Sequence, residues 1–432
     1  MKNSVAEKIQ WVWRGPIRRW FGGVPLLCRL LGLLAAVIIE YAAGDPLAEG
    51  LGLPKVPVLF GFLTILKAPD LIPGTVLYVF LIYVAVPCVI AGVSRNLGNQ
   101  ILTKLERFPP FLAVFVHLVL LYALLHLWSD ISAYRLLTLK LTLIAVIMTL
   151  SLNVVNGYMG EFSCSHPGFM ALGAYGASVF TLVLFVDDRL FGAPFLTPAL
   201  APFLFPVGLL FGGVVAALGA LIIAIPSFRT RGDYLAIISL AFTFIVKSAI
   251  ENMEWVGGPR GMSSQPDLAS LPTVFVWTAV SIWVINNFVR STLGKALNAV
   301  RDDEGAADAM SVNTRRTKMV AFMFAAFWAG IAGGLFAHVL RYVNPAVFGV
   351  QHLAEGLAMV YFGGLNSVYG SILGAVSLSM LSEALRPLEL FKWIVIPLLL
   401  ILVMIFRPTG LIAFKEFDVK RLIRPKGREE GP

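Results

Sequence analysis

The chain has 432 residues, of which 58% are hydrophobic and 14% charged, and its mean hydropathy is +0.82. Soluble domains carry roughly 25% charged residues, so the composition excludes a soluble globular protein and indicates a polytopic membrane protein. The net charge of +9 does not argue for nucleic acid, because the Lys and Arg stand in the tails and between apolar runs and form no aromatic-interleaved patch; membrane orientation accounts for them.

Residues 1–21 are basic and tryptophan-rich and have no apolar core of their own. They read as a retained cytoplasmic or interfacial segment, with Trp11, Trp13 and Trp20 at headgroup depth, and not as a cleavable signal peptide. Residues 24–43 are the first candidate span, in which Arg29 and Glu40 are expected to snorkel towards opposite faces. Residues 44–73, rich in Gly and Pro, read as a loop that touches the membrane around residues 56–66. Residues 74–93 span. Residues 94–109, with Arg95, Lys104 and Arg107, are expected in the cytoplasm, and residues 110–128 return outward. His117 and His126 in that run are nine apart, about 180° on a helix, so they cannot share a metal ion and read as packing residues.

Residues 136–155 span and lead into SLNVVNGYMGEFSCSHPGFMALGAYGASV. Asn, Ser, Glu and His between two apolar runs are costly in lipid and normally face a bundle interior or a wet path, and Gly157, Gly160 and Gly168 would break helices there. A plain polar surface loop is the alternative. Asp187, Asp188 and Arg189 show no basic excess and are expected outside; residues 201–225 are an uncharged span with small-residue spacings. Arg229 and Arg231 mark the cytoplasmic end of the next span, and Gly257, Gly258 and Gly261 a turn at its far end. No Gly-x-x-x-x-Gly-Lys-Ser/Thr occurs, so no phosphate loop of that type is present.

After a span over residues 271–289 comes the longest charged passage between apolar runs, residues 291–318. Leu293, Leu297 and Val300 recur at i, i+4 and i+7, one face of a short helix. Asp302 and Asp303 stand at the cap and first turn of a second helix, whose small apolar face is Ala306, Ala307 and Met310. Its mixed charge favours a docking surface over a simple orientation anchor. Residues 319–340 then form a span with His338 as the one ionisable residue. Residues 355–381 hold Gly363, Gly364, Gly370 and Gly374, residues 393–406 cross, and Lys415, Lys420, Arg421, Arg424, Lys426 and Arg428 put the tail in the cytoplasm. With both termini and the 291–318 loop inside, crossings must be even in number, yet eleven apolar candidates exist. Residues 355–381 are expected not to cross, as a broken or re-entrant segment. Cys28, Cys88 and Cys164, odd in number and without metal spacing, read as reduced core residues.

The passage LGKALNAVRDDEGAADAMSVNTRRTKMVAFMFAAFWAGIAGGLFA resembles the cytoplasmic coupling loop of ABC importer permeases, and specifically the branched-chain amino acid permease family of LivM type. The resemblance runs from about Leu136 to Leu411 and includes FRTRGDYLAI, FGGLNSVYGSILGAV and the closing RPTGLI. Where family members usually carry glycine, this chain has Ser311. The resemblance implies an all-α polytopic transmembrane bundle of about ten crossings plus one broken segment. Residues 1–130 would be an N-terminal extension with about three spans, residues 131–412 the permease core, and residues 413–432 a basic cytoplasmic tail. It implies coupling to an ATPase through Leu297, Val300, Arg301, Asp303, Glu304, Ala306, Ala307, Asp308 and Met310. A translocation path is expected beside Asn153, Asn156, Gly157, Ser163, His166, Gly173, Tyr175, Gly363, Gly364 and Asn366.

The implied protein is a permease subunit in the bacterial cytoplasmic (inner) membrane, importing branched-chain amino acids. Its expected partners are a second related permease, two cytoplasmic ABC ATPases, an extracytoplasmic binding protein and membrane lipid. ATP would be used by the partners; no cofactor, metal or catalytic residue is expected in this chain. Relatives associated with urea, amides or other amino acids leave those substrates open. A secondary transporter would place coupling acids within its spans, and a membrane enzyme would need a convergent His and carboxylate set; neither pattern is evident.

Overall fold

A computed structural model of the chain describes residues 24–62, 68–105, 109–187, 192–228, 234–407, 409–414 and 417–418. The expectations for Trp11, Trp13, Trp20, Arg107, Asp188, Arg189, Arg229, Arg231 and the basic residues of the tail lie outside these. Among the described residues, eight helices are long and apolar enough to cross a membrane, or nine if one pair bent by 87° is a single span. The described residues fall into two compact units, one ending at Leu136 and including Asp418, the other Leu137–Phe417.

The first unit is built from α1 (Leu26–Gly50), α2 (Pro69–Val93), α3 (Arg95–Leu105), α4 (Pro110–Asp130) and the start of α5 (Ala133–Met159). Its outward faces carry bare apolar side chains such as Val89, Val93 and Phe111, as lipid-facing helices do. The first span is longer than the sequence indicates. α1 continues through Gly44 and Pro46 to Gly50, because Pro46 removes one hydrogen bond near the helix end and Gly44 lets the helix pass close to the Tyr78 hydroxyl. His117 bonds the Ala113 carbonyl through Nδ1 and His126 stacks on Tyr122, packing roles as the spacing implied.

Glu40 does not snorkel. It is 2% exposed and receives both Nη atoms of Arg135, at 3.0 and 3.2 Å, while Arg135, 1% exposed, also donates to the Pro57 carbonyl. Tyr78 and Tyr83 donate their hydroxyls to the same carboxylate, Trp128 Nε1 donates to the Tyr83 oxygen, and the guanidinium stacks over the Trp128 ring at 5.2 Å. Two charges survive out of water here because both guanidinium Nη atoms and both carboxylate oxygens are hydrogen-bonded.

The second unit continues α5 and adds α6 (His166–Phe185), α7 (Ala201–Ser227), α8 (Tyr234–Glu251) and α9 (Leu271–Arg290). Two short helices, α10 (Thr292–Asp302) and α11 (Glu304–Ala309), precede α12 (Thr314–Leu340), α13 (Val350–Gly363), α14 (Val368–Ala384) and α15 (Glu389–Phe406). Its centre is the packing of α6, α7 and α12 through small residues. A Cβ on Gly173 would stand 2.2 Å from the Gly330 carbonyl oxygen, and Ala325, Ala326, Ala329 and Ala332 are fully buried. Lipid offers no hydrophobic gain for helix association, so this close backbone approach supplies the contact instead. The glycine turn after α8 forms as expected, with positive φ at Gly257, Gly258 and Gly261, and leads into a two-residue strand β1 (Met262–Ser263) paired antiparallel with β2 (Tyr342–Val343) beyond α12.

The stretch expected as one broken segment, residues 355–381, is a helical hairpin. α13 stops at Gly363, and α14 runs back antiparallel, with Gly374 packed against Gly363 and the Met359 carbonyl. Residues 409–414 lie along the break, with Leu411 and Ile412 donating their N–H groups to the Phe362 and Gly363 carbonyls and Leu365 donating to that of Thr409.

The buried pair in the first unit is open to test. Losing one partner of a buried ion pair costs about 3–5 kcal/mol, so Arg135→Met is expected to lower the thermal unfolding midpoint of the purified protein well below that of the parent. Adding Glu40→Gln should recover part of the loss. An unchanged midpoint in the single variant would mean that Glu40 reaches water.

Candidate functional site

The charged passage folds as two amphipathic turns. Ser291 caps α10 by accepting the Gly294 N–H, and Asp303 caps α11 by accepting the Ala306 N–H at 2.9 Å, the role expected of it. Asp302 instead pairs with Arg301 at 2.7 Å. The buried face of α10 is Gly294, Leu297 and Val300; Leu293 is 41% exposed, because the cap at Ser291 rotates the first turn so that glycine meets the α9 backbone. On α11, Ala307 is buried within the chain, whereas Ala306, Asp308 and Met310 face outward, Met310 at 79% exposure. The expected three-residue apolar face is thus divided between the chain's own core and a surface. Ser311 takes the left-handed conformation, φ 65°, that ends α11, and the Val312 N–H closes on the Ala307 carbonyl. The tight turn forms without glycine, at the cost that a side chain bears there.

Lys318, one turn into α12, ties this passage to the bundle. Its Nζ donates to Glu304 Oε2 at 2.9 Å and to Glu161 Oε1 at 2.7 Å, with the lysine side chain only 10% exposed. One ammonium therefore joins the first residue of α11, the base of α12 and the segment that follows α5. Glu304 meets Lys318 while its side chain stays 51% exposed. Arg301 makes a second tie: Nη1 donates to the Gly157 carbonyl at 3.4 Å, the guanidinium lies 5.3 Å from the Phe414 ring, and its methylenes fill the space a side chain on Gly160 would take.

The residues expected beside a path separate into groups. Asn153 is 1% exposed and its amide nitrogen donates to Ser371 Oγ at 2.6 Å and to the Ser367 and Gly364 carbonyls, while its oxygen accepts the Asn366 N–H. It clamps the hairpin break, where φ is 133° at Gly364 and 54° at Asn366. Gly157 sits against Asn153 and Asn366, at the foot of α5, where the helix widens to a π-helical turn over Val154–Met159. Asn156 accepts the Ser163 N–H, Ser163 and Ser165 share a hydrogen bond, and Ser239 and Thr243 of α8 bond the backbone of Cys164. The 160–165 connection is thus held at α8. His166 is fully buried with its ring edge-on to Phe169. Gly173 lies within the α6 to α12 contact, and Tyr175 donates to the Val343 carbonyl at the opposite end.

Asn153, Gly157, Gly363, Gly364 and Asn366 are therefore one buried cluster next to Arg301, while Gly173 and Tyr175 stand elsewhere. Within the cluster, Asn153 bonds the backbone of Gly364, Asn366 and Ser367 and the Ser371 hydroxyl. Lys318 and Glu161 were missed: Lys318 follows Arg315 and Arg316 and reads as one more basic loop residue. The usable signal was a lysine placed one turn inside a 27-residue apolar helix. Among the described residues, no group of three His, Cys, Asp or Glu is placed to hold a metal ion.

The family described as the permease component of branched-chain amino acid transport systems matches residues 134–406. The high-affinity branched-chain amino acid transport system permease protein LivM of Escherichia coli (strain K12) is 33% identical over 315 residues, covering 65% of this chain and 70% of that protein. The corresponding permease protein LivH of the same strain is 28% identical over 171 residues, 39% of this chain and 55% of its own. The ribose import permease protein RbsC of Haemophilus influenzae is 25% identical over 206 residues, 44% and 62% respectively. No solved structure matches. A family match over well over half of the chain makes this protein a member of the family of branched-chain amino acid transport permease components.

Proposed function

We propose that the chain is one transmembrane subunit of an ATP-binding cassette importer for branched-chain amino acids in the bacterial inner membrane. It pairs with a second, related permease, is driven by two separate cytoplasmic ATPases and receives substrate from an extracytoplasmic binding protein. The observation that carries this reading is Lys318 holding Glu304 and Glu161 together. A displacement of α11 by an ATPase then moves the base of α12 and the foot of α5 as one body. Arg301 carries the same displacement to Gly157, and the Asn153 clamp passes it to the α13 to α14 hairpin. Rigid elements with polar ties at their ends are the parts that a two-state transport cycle needs. Matches to LivM and LivH, both named for branched-chain amino acid transport, support the substrate.

Three outcomes test it. Lys318→Met should leave the subunit in the membrane and joined to its ATPases, while uptake per ATP hydrolysed falls about tenfold or more; normal coupling would remove Lys318 from the mechanism. Ala306→Arg and Met310→Asp, on the outward face of α11, should abolish co-purification with the ATPases at unchanged subunit abundance. Ala307 is unsuitable for that experiment because it packs within the chain. In vesicles holding the complete importer, leucine, isoleucine and valine should compete best for uptake, and carriage of urea or short amides with these ignored would overturn the substrate assignment.

A further inference from the structure

At the end of the second unit away from α10 and α11, the hairpin and α5 enclose a cavity of about 280 Å³. The antiparallel pairing of α13 with α14 sets Glu355 and Glu383, 28 positions apart in sequence, on one cavity wall with His352. No lysine or arginine lines it, so its wall is acidic, and the other sides are supplied by Met148, Met170, Met359 and Phe336. His352 stands 3.9 Å from Glu355 through Nδ1 and 3.3 Å from the Met170 sulfur through Nε2, and Glu383 accepts from Arg386 at 2.8 Å at the rim. Ser379 and Ser382 also line the space.

We propose that this cavity is a subsite for the transported amino acid, with the α-ammonium group at Glu355, the carboxylate at the serine hydroxyls and the apolar side chain among the methionines. The inference rests on the transport reading above and adds where the substrate is held. Acid lining selects a cation. Thioether side chains, unbranched and polarisable, fit isobutyl, sec-butyl and isopropyl groups without remodelling the wall. The requirement for a charged and an apolar contact in the same small space matches a zwitterion with a branched hydrocarbon tail. It does not match urea, which has no tail, or a sugar, which has no ammonium group.

The test uses the complete importer in bilayers, with Leu141→Cys placed as a reporter on the α5 wall of the cavity. Leucine should slow maleimide labelling of that thiol. Glu355→Gln should raise the half-protecting leucine concentration about tenfold or more, the loss expected of a charged hydrogen bond, and 3-methylbutylamine should protect where 4-methylpentanoate does not. Should Glu355→Gln fail to insert, the amine and carboxylate analogues compared on the Leu141→Cys parent carry the test: protection by 4-methylpentanoate and not by 3-methylbutylamine overturns the placement of the ammonium at Glu355. Labelling unaffected by leucine in an importer that does carry leucine overturns the subsite and leaves the transport function standing; an importer that carries no branched-chain amino acid overturns both. Protection that appears only in phosphatidylethanolamine bilayers, without added leucine, would assign the cavity to a lipid ammonium headgroup and also overturn the proposal.

Discussion

Every irregular stretch of backbone in this fold answers to one constraint: in hydrocarbon, an N–H or C=O group must be bonded from within the protein. The break between α13 and α14 meets it twice over. Asn153 reaches in from α5 with all its bonding capacity, and residues 409–414 lie along the break like a short strand. The 160–165 connection meets it through Asn156, Ser239 and Thr243. At these two places irregular backbone and buried polar side chains go together: Asn153, Asn156, Ser239 and Thr243 bond backbone where a helix has been interrupted.

That equivalence explains why the core divides into stiff and articulated parts. α6, α7 and α12 approach through glycine and alanine, with the buried Thr181–His338 hydrogen bond at 2.9 Å between α6 and α12, and leave little space for rearrangement. Around them, α5, α10, α11 and the hairpin are joined by a small number of directional contacts at Lys318, Arg301 and Asn153. Directional contacts hold two bodies in register while permitting rotation about the bond, which close-packed surfaces do not.

How far this was legible in the sequence depended on distance along the chain. The Asp303 cap, the glycine turn after α8 and the break at Gly364 rest on neighbouring residues and were readable from them. The coupling face was only partly so: helical spacing named Leu297, Val300 and Ala307, but the cap that sets the rotation of α10 put Gly294 where Leu293 was expected. Glu40 was read as a surface-seeking acid because its partner Arg135 is 95 residues away. The backbone partners of Asn153 were out of reach for the same reason, since a buried amide signals a requirement without saying which distant groups fulfil it. Lys318 was obscured by the arginines before it.

The Asn153 clamp also has a temporal side. Its strongest partner, Ser371, is 218 residues downstream, and ribosomes add about 5–20 residues per second. During synthesis the Asn153 amide therefore spends tens of seconds in a nascent bundle before its partners exist. The chain inserts most of its helices with this connection open, and the arrival of the hairpin, followed by residues 409–414, closes it from the C-terminal side. A ribosome that stalls late in the message leaves behind a chain with most of its long apolar helices made and the Asn153 joint unmade.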